Sequence, residues 1–105
     1  MRDEIRLVAA PADLFRPFFA WAQGHAKPIL IGEYGVSLGW GGAARADWLA
    51  DAQRTFQANA QVKAVCYFDS DPDGNGAYKQ YHLGGDPQAL AAFAAMARDP
   101  YFKTR

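Results

Sequence analysis

The clearest chemical signal lies in residues 27–36, where an apolar run ends in a carboxylate. Ile29, Leu30 and Ile31 lead to Glu33, and a glycine-rich loop begins at Gly35. In parallel α/β folds, reactive groups lie at the carboxyl ends of strands and in the loops that follow. Glu33 is therefore the candidate catalytic residue.

A second apolar run, Val62 to Phe68, also ends in a carboxylate, Asp69. The loop from Asp69 to Asn75 has the D-x-D-x-D-G spacing that begins an EF-hand calcium loop. A strand instead of a helix precedes it, however, and Gln80 stands where the bidentate Glu would be. We expect an acidic loop with no bound metal, and no cofactor.

The spacing of the apolar residues predicts the helices and strands that position these acids. A first helix opens at Pro11 and ends near Gly24, and a second covers about 43–59. A third begins after Asp86 and ends before Pro100, and an extended piece is expected over 78–83. The predicted buried stripes are Leu14, Phe18, Trp21 and Ala22; Trp48, Leu49, Ala52 and Phe56; and Leu90, Phe93, Ala94 and Ala97. On the second helix, the predicted solvent face carries Arg45, Asp47, Asp51 and Arg54.

This order predicts a single α/β domain over residues 1–105, in which two parallel strands alternate with three helices. Side chains of a strand alternate between its faces. A Glu33 that points away from the helices would place Ile29 and Ile31 on its own face, and would leave Leu30 and Gly32 toward the helices. Cys66 is expected to pack as a small hydrophobic residue.

Composition excludes several partners. Eleven basic residues balance eleven acidic ones without a run of like charge, so neither nucleic acid nor a membrane surface is expected. No apolar stretch reaches the ~18 residues of a membrane span. Residues 1–4 do not resemble the start of a signal peptide, and the sequence does not indicate the cellular compartment.

Four segments of the chain together resemble the C-terminal part of a family 26-type, β-mannanase-like glycoside hydrolase. They are Lys27 to Val36, Val62 to Asp69, Asp86-Pro87-Gln88-Ala89-Leu90 and Asp99-Pro100-Tyr101-Phe102. That family has a (β/α)8 barrel and retains anomeric configuration. The resemblance implies a partial barrel, from the sixth helix to the eighth. It also implies polysaccharide degradation with β-linked polysaccharide or oligosaccharide as substrate, and a secreted full-length relative.

The resemblance places the nucleophile at Glu33, whereas the general acid/base belongs to a strand that this sequence does not contain. Retention needs two carboxyl groups ~5–5.5 Å apart. We therefore expect inactivity unless an N-terminal barrel portion or self-association completes the site. Asp69 is the nearest acid that can substitute, ahead of Glu4, Asp71 and Asp73. The expected substrate-binding residues are Trp40, Tyr34, Tyr67, Phe68, Asp69 and His82.

Several alternatives remain open. Trp40 is either a platform for a sugar ring or an anchor that holds its loop, and alternation allows only one of Tyr67 and Phe68 to line a pocket. The chain can also be a non-catalytic carbohydrate-binding or pseudo-enzyme module. It can equally be an unrelated small α/β interaction protein in which Glu33 is structural.

Overall fold

The computed structural model describes residues 9–40, 42–71, 76 and 80–102. In chain order, the helices and strands of these residues are α1 (Pro11–Ala22), β1 (Ile29–Tyr34), α2 (Gly42–Gln57), β2 (Val62–Tyr67) and α3 (Pro87–Arg98). Short 3-10 turns occupy Leu38–Trp40 and Pro100–Phe102. The predicted order of helices and strands is confirmed.

The predicted extended piece over 78–83 is only partly described, because residues 77–79 lie outside the described part. Gln80 to Leu83 is an irregular loop rather than a strand. It is nonetheless held by backbone hydrogen bonds on both sides, from the Leu38 amide to the Gln80 carbonyl (2.7 Å) and from the Tyr81 amide to the Ser70 carbonyl (3.0 Å). We call residues 80–83 the clamped loop.

β1 and β2 form a parallel two-stranded sheet in which Ile29 pairs with Val62 and Tyr34 with Tyr67. The helices cover one face of this sheet. Phe56 of α2 makes an edge contact with Tyr34, with ring centroids 5.0 Å apart, and Phe93 of α3 contacts Tyr67 at 5.6 Å. The core therefore lies between the helices and this helix-covered face, while the opposite, open face is solvent-exposed.

The predicted strand faces were wrong for β1. Ile29 and Ile31 are buried against the helices, whereas Leu30 is 64% exposed. The pairing of β1 with β2 shifts between Ile31 and Tyr34, and Gly32 and Glu33 are two consecutive exposed residues there. An extra residue of this kind breaks strict alternation. Glu33 is therefore exposed even though the residues two and four before it face the core.

The predicted core stripe of α1 was also wrong, and that of α3 was wrong at Leu90, which is 47% exposed while Ala89 and Met96 are buried. Leu14, Phe18 and Trp21 are exposed, Trp21 at 60%, and of the four predicted residues only Ala22 is buried. The stripe that packs on the core is Pro11, Phe15, Phe19 and Ala22. Phe15 makes an edge contact with Phe56, with ring centroids 5.2 Å apart, and so attaches α1 to α2.

Two further expectations concern the exposure of Cys66 and the absence of a membrane-spanning helix. Cys66 is exposed on β2, so its predicted packing as a buried residue was wrong. Within the described ranges, no helix is both long enough and apolar enough to cross a bilayer.

Candidate functional site

A cavity of about 380 Å³ lies at the carboxyl ends of the two strands. Its lining residues are Glu33, Tyr34, Gly35, Phe68 and Tyr81. Glu33 comes from the irregular end of β1, Phe68 directly follows β2, and Tyr81 comes from the clamped loop. In the described part of the chain, no hydrogen bond or salt bridge holds the Glu33 carboxylate. The Glu33 side chain is exposed at the end of the sheet that the sequence predicted.

Tyr81 packs directly over Gly35. A Cβ atom on Gly35 would lie 3.1 Å from Cδ1 of Tyr81 and 3.7 Å from Cβ of Phe68. The rings of Phe68 and Tyr81 meet edge to face, with centroids 5.6 Å apart. Glycine at position 35 therefore lets the Tyr81 ring approach the backbone two residues after Glu33. Tyr81 was missed by sequence reasoning, because nothing in its loop sequence indicates this contact.

Arg45 holds the loops around this cavity together, although it is 0% exposed. Its Nε donates to the Val36 carbonyl (3.1 Å), and Nη1 pairs with Asp86 (3.0 Å). Its Nη2 lies within hydrogen-bond distance of the carbonyls of Tyr81 (2.9 Å) and His82 (2.8 Å). One buried cation thus joins the loop after β1, the clamped loop and the residue that caps α3.

The prediction that Arg45 takes the solvent face of α2 was wrong. Arg45 lies three residues before Trp48 and four before Leu49, so it belongs to the apolar stripe of its helix. That spacing was the available signal. A buried arginine is stable only when its donors are satisfied, and here carbonyl oxygens and the Asp86 carboxylate satisfy them. Asp86 also accepts from the Ala89 amide (3.2 Å) as the N-cap of α3.

Tyr67 and Phe68 divide as the alternation rule requires. Tyr67 faces the helices and its hydroxyl donates to the Tyr81 carbonyl (2.7 Å) while accepting from Nη2 of Arg45 (3.2 Å). Burial raises the pKa of the Tyr67 hydroxyl, against the opposing hydrogen bond from Arg45, so it stays a neutral donor at ordinary pH. Phe68 lines the cavity. A substrate-binding role for Phe68 remains a prediction.

Tyr34 lines the cavity only in part, because its ring is buried in the core. The ring stacks beside Trp48, with centroids 6.3 Å apart, and the hydroxyl reaches Sδ of Met96 at 3.8 Å. Burial raises the pKa of Tyr34 above its ordinary value. Its hydroxyl is therefore directed to α3, and the structure gives it a packing role.

Asp69 and His82 hold the clamped loop rather than projecting free side chains. Oδ1 of Asp69 accepts from the Leu83 amide (2.8 Å). Nδ1 of His82 lies 2.9 Å from Oδ2 of Asp71, whose Oδ1 also accepts from the Tyr81 amide (3.0 Å). The hydrogen bond from His82 holds the pKa of Asp71 below its usual range. Substrate contacts by Asp69 or His82 stay predictions.

Trp40 lies in the 3-10 turn after β1, half-buried and packed against the core. Its amide donates to the Ser37 carbonyl (3.3 Å). This placement favours the anchor interpretation over the platform interpretation.

Two other acids, Glu4 and Asp73, lie outside the described residues, as does most of the calcium-like loop. Among the residues that are described, no group of three or more metal-binding side chains comes together. The carboxylates of Asp69 and Asp71 are already used by backbone amides and by His82.

The structure thus has the predicted order of helices and strands, the parallel pairing of β1 with β2, and the Glu33 carboxylate at the end of β1. In comparisons with known proteins, no protein-family model matches the chain and no curated protein matches it significantly.

Proposed function

We propose that this chain is the nucleophile-bearing sector of a retaining endo-β-glycosidase, equivalent to the last part of a (β/α)8 barrel. The observation that carries the proposal is the exposed Glu33 carboxylate in a cavity at the carboxyl ends of two parallel strands. Helices cover one face of the sheet and the other is open, as in a sector cut from a barrel. The resemblance of residues 27–36 and of the second strand supports the same assignment.

In this proposal, Glu33 attacks the anomeric carbon of a β-linked sugar. A bond forms between its carboxylate oxygen and C1 as the bond from C1 to the leaving oxygen breaks. A natural substrate needs a proton on that leaving oxygen. Glu33 is the single carboxylate among the described residues that line the cavity, so a second carboxyl group has to come from elsewhere.

The surface of the chain supports such a complement. Among the described residues, no strand pairs with the outer edge of β1 or of β2, and Leu30 is exposed on the open face. Leu14, Phe18 and Trp21 form a second exposed apolar surface on α1. Exposed edges and apolar patches of this kind mark interaction surfaces. We propose that an N-terminal barrel portion, or self-association, covers them in the active enzyme.

A reagent with an activated leaving group tests the nucleophile without the missing acid. A 2,4-dinitrophenyl 2-deoxy-2-fluoro-β-mannoside, and its glucoside counterpart, release a phenolate that needs no proton donor. We expect a fluoroglycosyl ester on Glu33, located by peptide mass spectrometry and absent in Glu33→Gln. Asp47→Asn, which changes an exposed acid of α2 that does not line the cavity, is the matched control and should label like the parent. Labelling at another residue, or equal labelling of Glu33→Gln, would remove Glu33 from the mechanism.

A second candidate function is glycan binding without turnover. It is favoured by the two aromatic rings of Phe68 and Tyr81 beside a cavity that contains one carboxylate. Isothermal titration with mannohexaose and with mixed-linkage gluco-oligosaccharides distinguishes the two. Binding without labelling of Glu33 selects this second function. Absence of both binding and labelling selects the interaction-protein alternative, in which Glu33 is structural.

A further inference from the structure

We infer that Tyr81 is the aromatic face against which the sugar packs, and that Arg45 is the positioning residue that sets the Tyr81 ring over Gly35. This inference rests on the proposed function of the Glu33 cavity. The inference adds Tyr81 as a specificity-determining residue and Arg45 as a buried residue that acts through Tyr81.

The first support is the fixed backbone of Tyr81. Its amide donates to the Ser70 carbonyl (3.0 Å) and to Oδ1 of Asp71 (3.0 Å). Its carbonyl accepts from the Tyr67 hydroxyl (2.7 Å) and from Nη2 of Arg45 (2.9 Å). Both backbone polar groups of Tyr81 are therefore held, which gives its side chain a defined starting point.

The second support is the position of the ring. It lies against Gly35, two residues after Glu33, and meets Phe68 edge to face. Tyr81 is half-buried and lines the cavity, so one part of the ring packs on protein and another part is open to a ligand. Flat aromatic rings bind apolar C–H surfaces with well-defined geometry. A pyranose ring presents such a surface, with polar hydroxyl groups at its edge.

The third support is the way Arg45 is used. Its guanidinium is fully buried, yet only one of its hydrogen-bond partners, Asp86, is charged. The carbonyls of Val36, Tyr81 and His82 belong to the two loops that border the cavity. Lysine cannot replace this planar set of donors, because its three donors radiate from one atom. The position of Tyr81 relative to Gly35 thus depends on arginine in particular.

The experiment measures oligosaccharide affinity and ring position in the full chain. By titration with mannohexaose, we expect Tyr81→Ala to bind roughly 10-fold more weakly, as loss of an aromatic contact implies. Tyr81→Phe should bind as the parent does, since the ring is kept. Tyr101→Ala is the matched control and should bind as the parent does, because the Tyr101 hydroxyl donates to the Val62 carbonyl (2.8 Å) at the amino end of β2, away from the cavity.

Ring position is measured by NMR, as the nuclear Overhauser effect between the Tyr81 ring protons and the Gly35 α-protons. We expect this effect in the parent and its loss in Arg45→Lys, together with a roughly 10-fold weaker affinity. If Arg45→Lys does not fold, Tyr67→Phe removes one of the two donors to the Tyr81 carbonyl and should weaken the same signal.

The outcomes separate this inference from the proposed function. If Tyr81→Ala binds as tightly as the parent while Glu33 is still labelled, the inference is wrong and the proposed function stands. If the Overhauser effect persists in both Arg45→Lys and Tyr67→Phe, Arg45 is not a positioning residue. If the parent binds neither oligosaccharide class and Glu33 is not labelled, both proposals are wrong.

Discussion

The two faces of the small sheet differ in solvent exposure, because one packs against the helices and the other does not. On the helix-covered face, Ile29, Ile31 and Val62 are packed into one core with Phe56. On the open face, Leu30 and Cys66 are exposed, and Glu33 lies at its carboxyl end. The same two strands thus stabilise the fold through one face and leave side chains exposed on the other. Substitutions on the two faces should therefore have separate effects.

The largest effect is expected at the buried ion pair between Arg45 and Asp86. Arg45→Met leaves the Asp86 carboxylate buried without its cation and leaves several carbonyls without a donor. We expect a loss of about 3–5 kcal/mol in the free energy of unfolding. Urea denaturation followed by circular dichroism measures it. Arg54→Met, which breaks the exposed pair with Asp51, is the control and should cost at most about 1 kcal/mol.

A matched pair of neighbours tests the contrast between the faces directly. Ile31 is 6% exposed, whereas Leu30 is on the open side. Ile31→Ala should lower the free energy of unfolding by about 2–5 kcal/mol, because it leaves a cavity in the core. Leu30→Ala should change it by less than about 0.5 kcal/mol. Equal losses in urea denaturation would mean that the open face is covered in solution.

The clamped loop should show a smaller, pH-dependent effect. The pKa of Asp71 is lowered in the folded chain by the hydrogen bond from His82, so its carboxylate stabilises the fold above the unfolded-state pKa of about 3.9. That contribution is lost as pH falls through the folded-state pKa. Asp71→Asn should therefore melt below the parent at neutral pH, and the difference should shrink in acid. A difference that grows in acid would contradict the assignment.

The smallest effect on stability is expected at the candidate nucleophile. Glu33→Gln changes an exposed side chain without a described partner, so the free energy of unfolding should shift by less than about 0.5 kcal/mol. The same variant should abolish labelling by the fluoroglycoside. A destabilisation near that of Ile31→Ala would instead indicate that Glu33 is structural.

The parts of the fold that follow local rules could be predicted from sequence. Pro11 and Asp86-Pro87 mark helix starts, and the apolar runs after Pro28 and from Val62 become the paired strands. The carboxylate at the end of β1 lies at the expected place for the same reason. Each of these depends on neighbouring residues alone.

The parts that depend on tertiary contacts could not be predicted in this way. The bulge at Gly32 and Glu33 takes Glu33 off the face that Ile29 and Ile31 share, and only pairing with β2 reveals it. Two apolar stripes run along α1, and the sequence alone does not say which meets the core. The spacing of Arg45 to Trp48 and Leu49 indicated that Arg45 is buried. Its hydrogen-bond partners, however, lie nine to forty-one positions away in the sequence.

The exposed thiol of Cys66 makes the open face measurable without any substitution. Because the chain contains one cysteine, alkylation reports on that position alone. Any molecule that settles over the sheet should slow the modification, and its release should restore the rate. The alkylation rate of Cys66 thus reports whether any molecule binds to the open face.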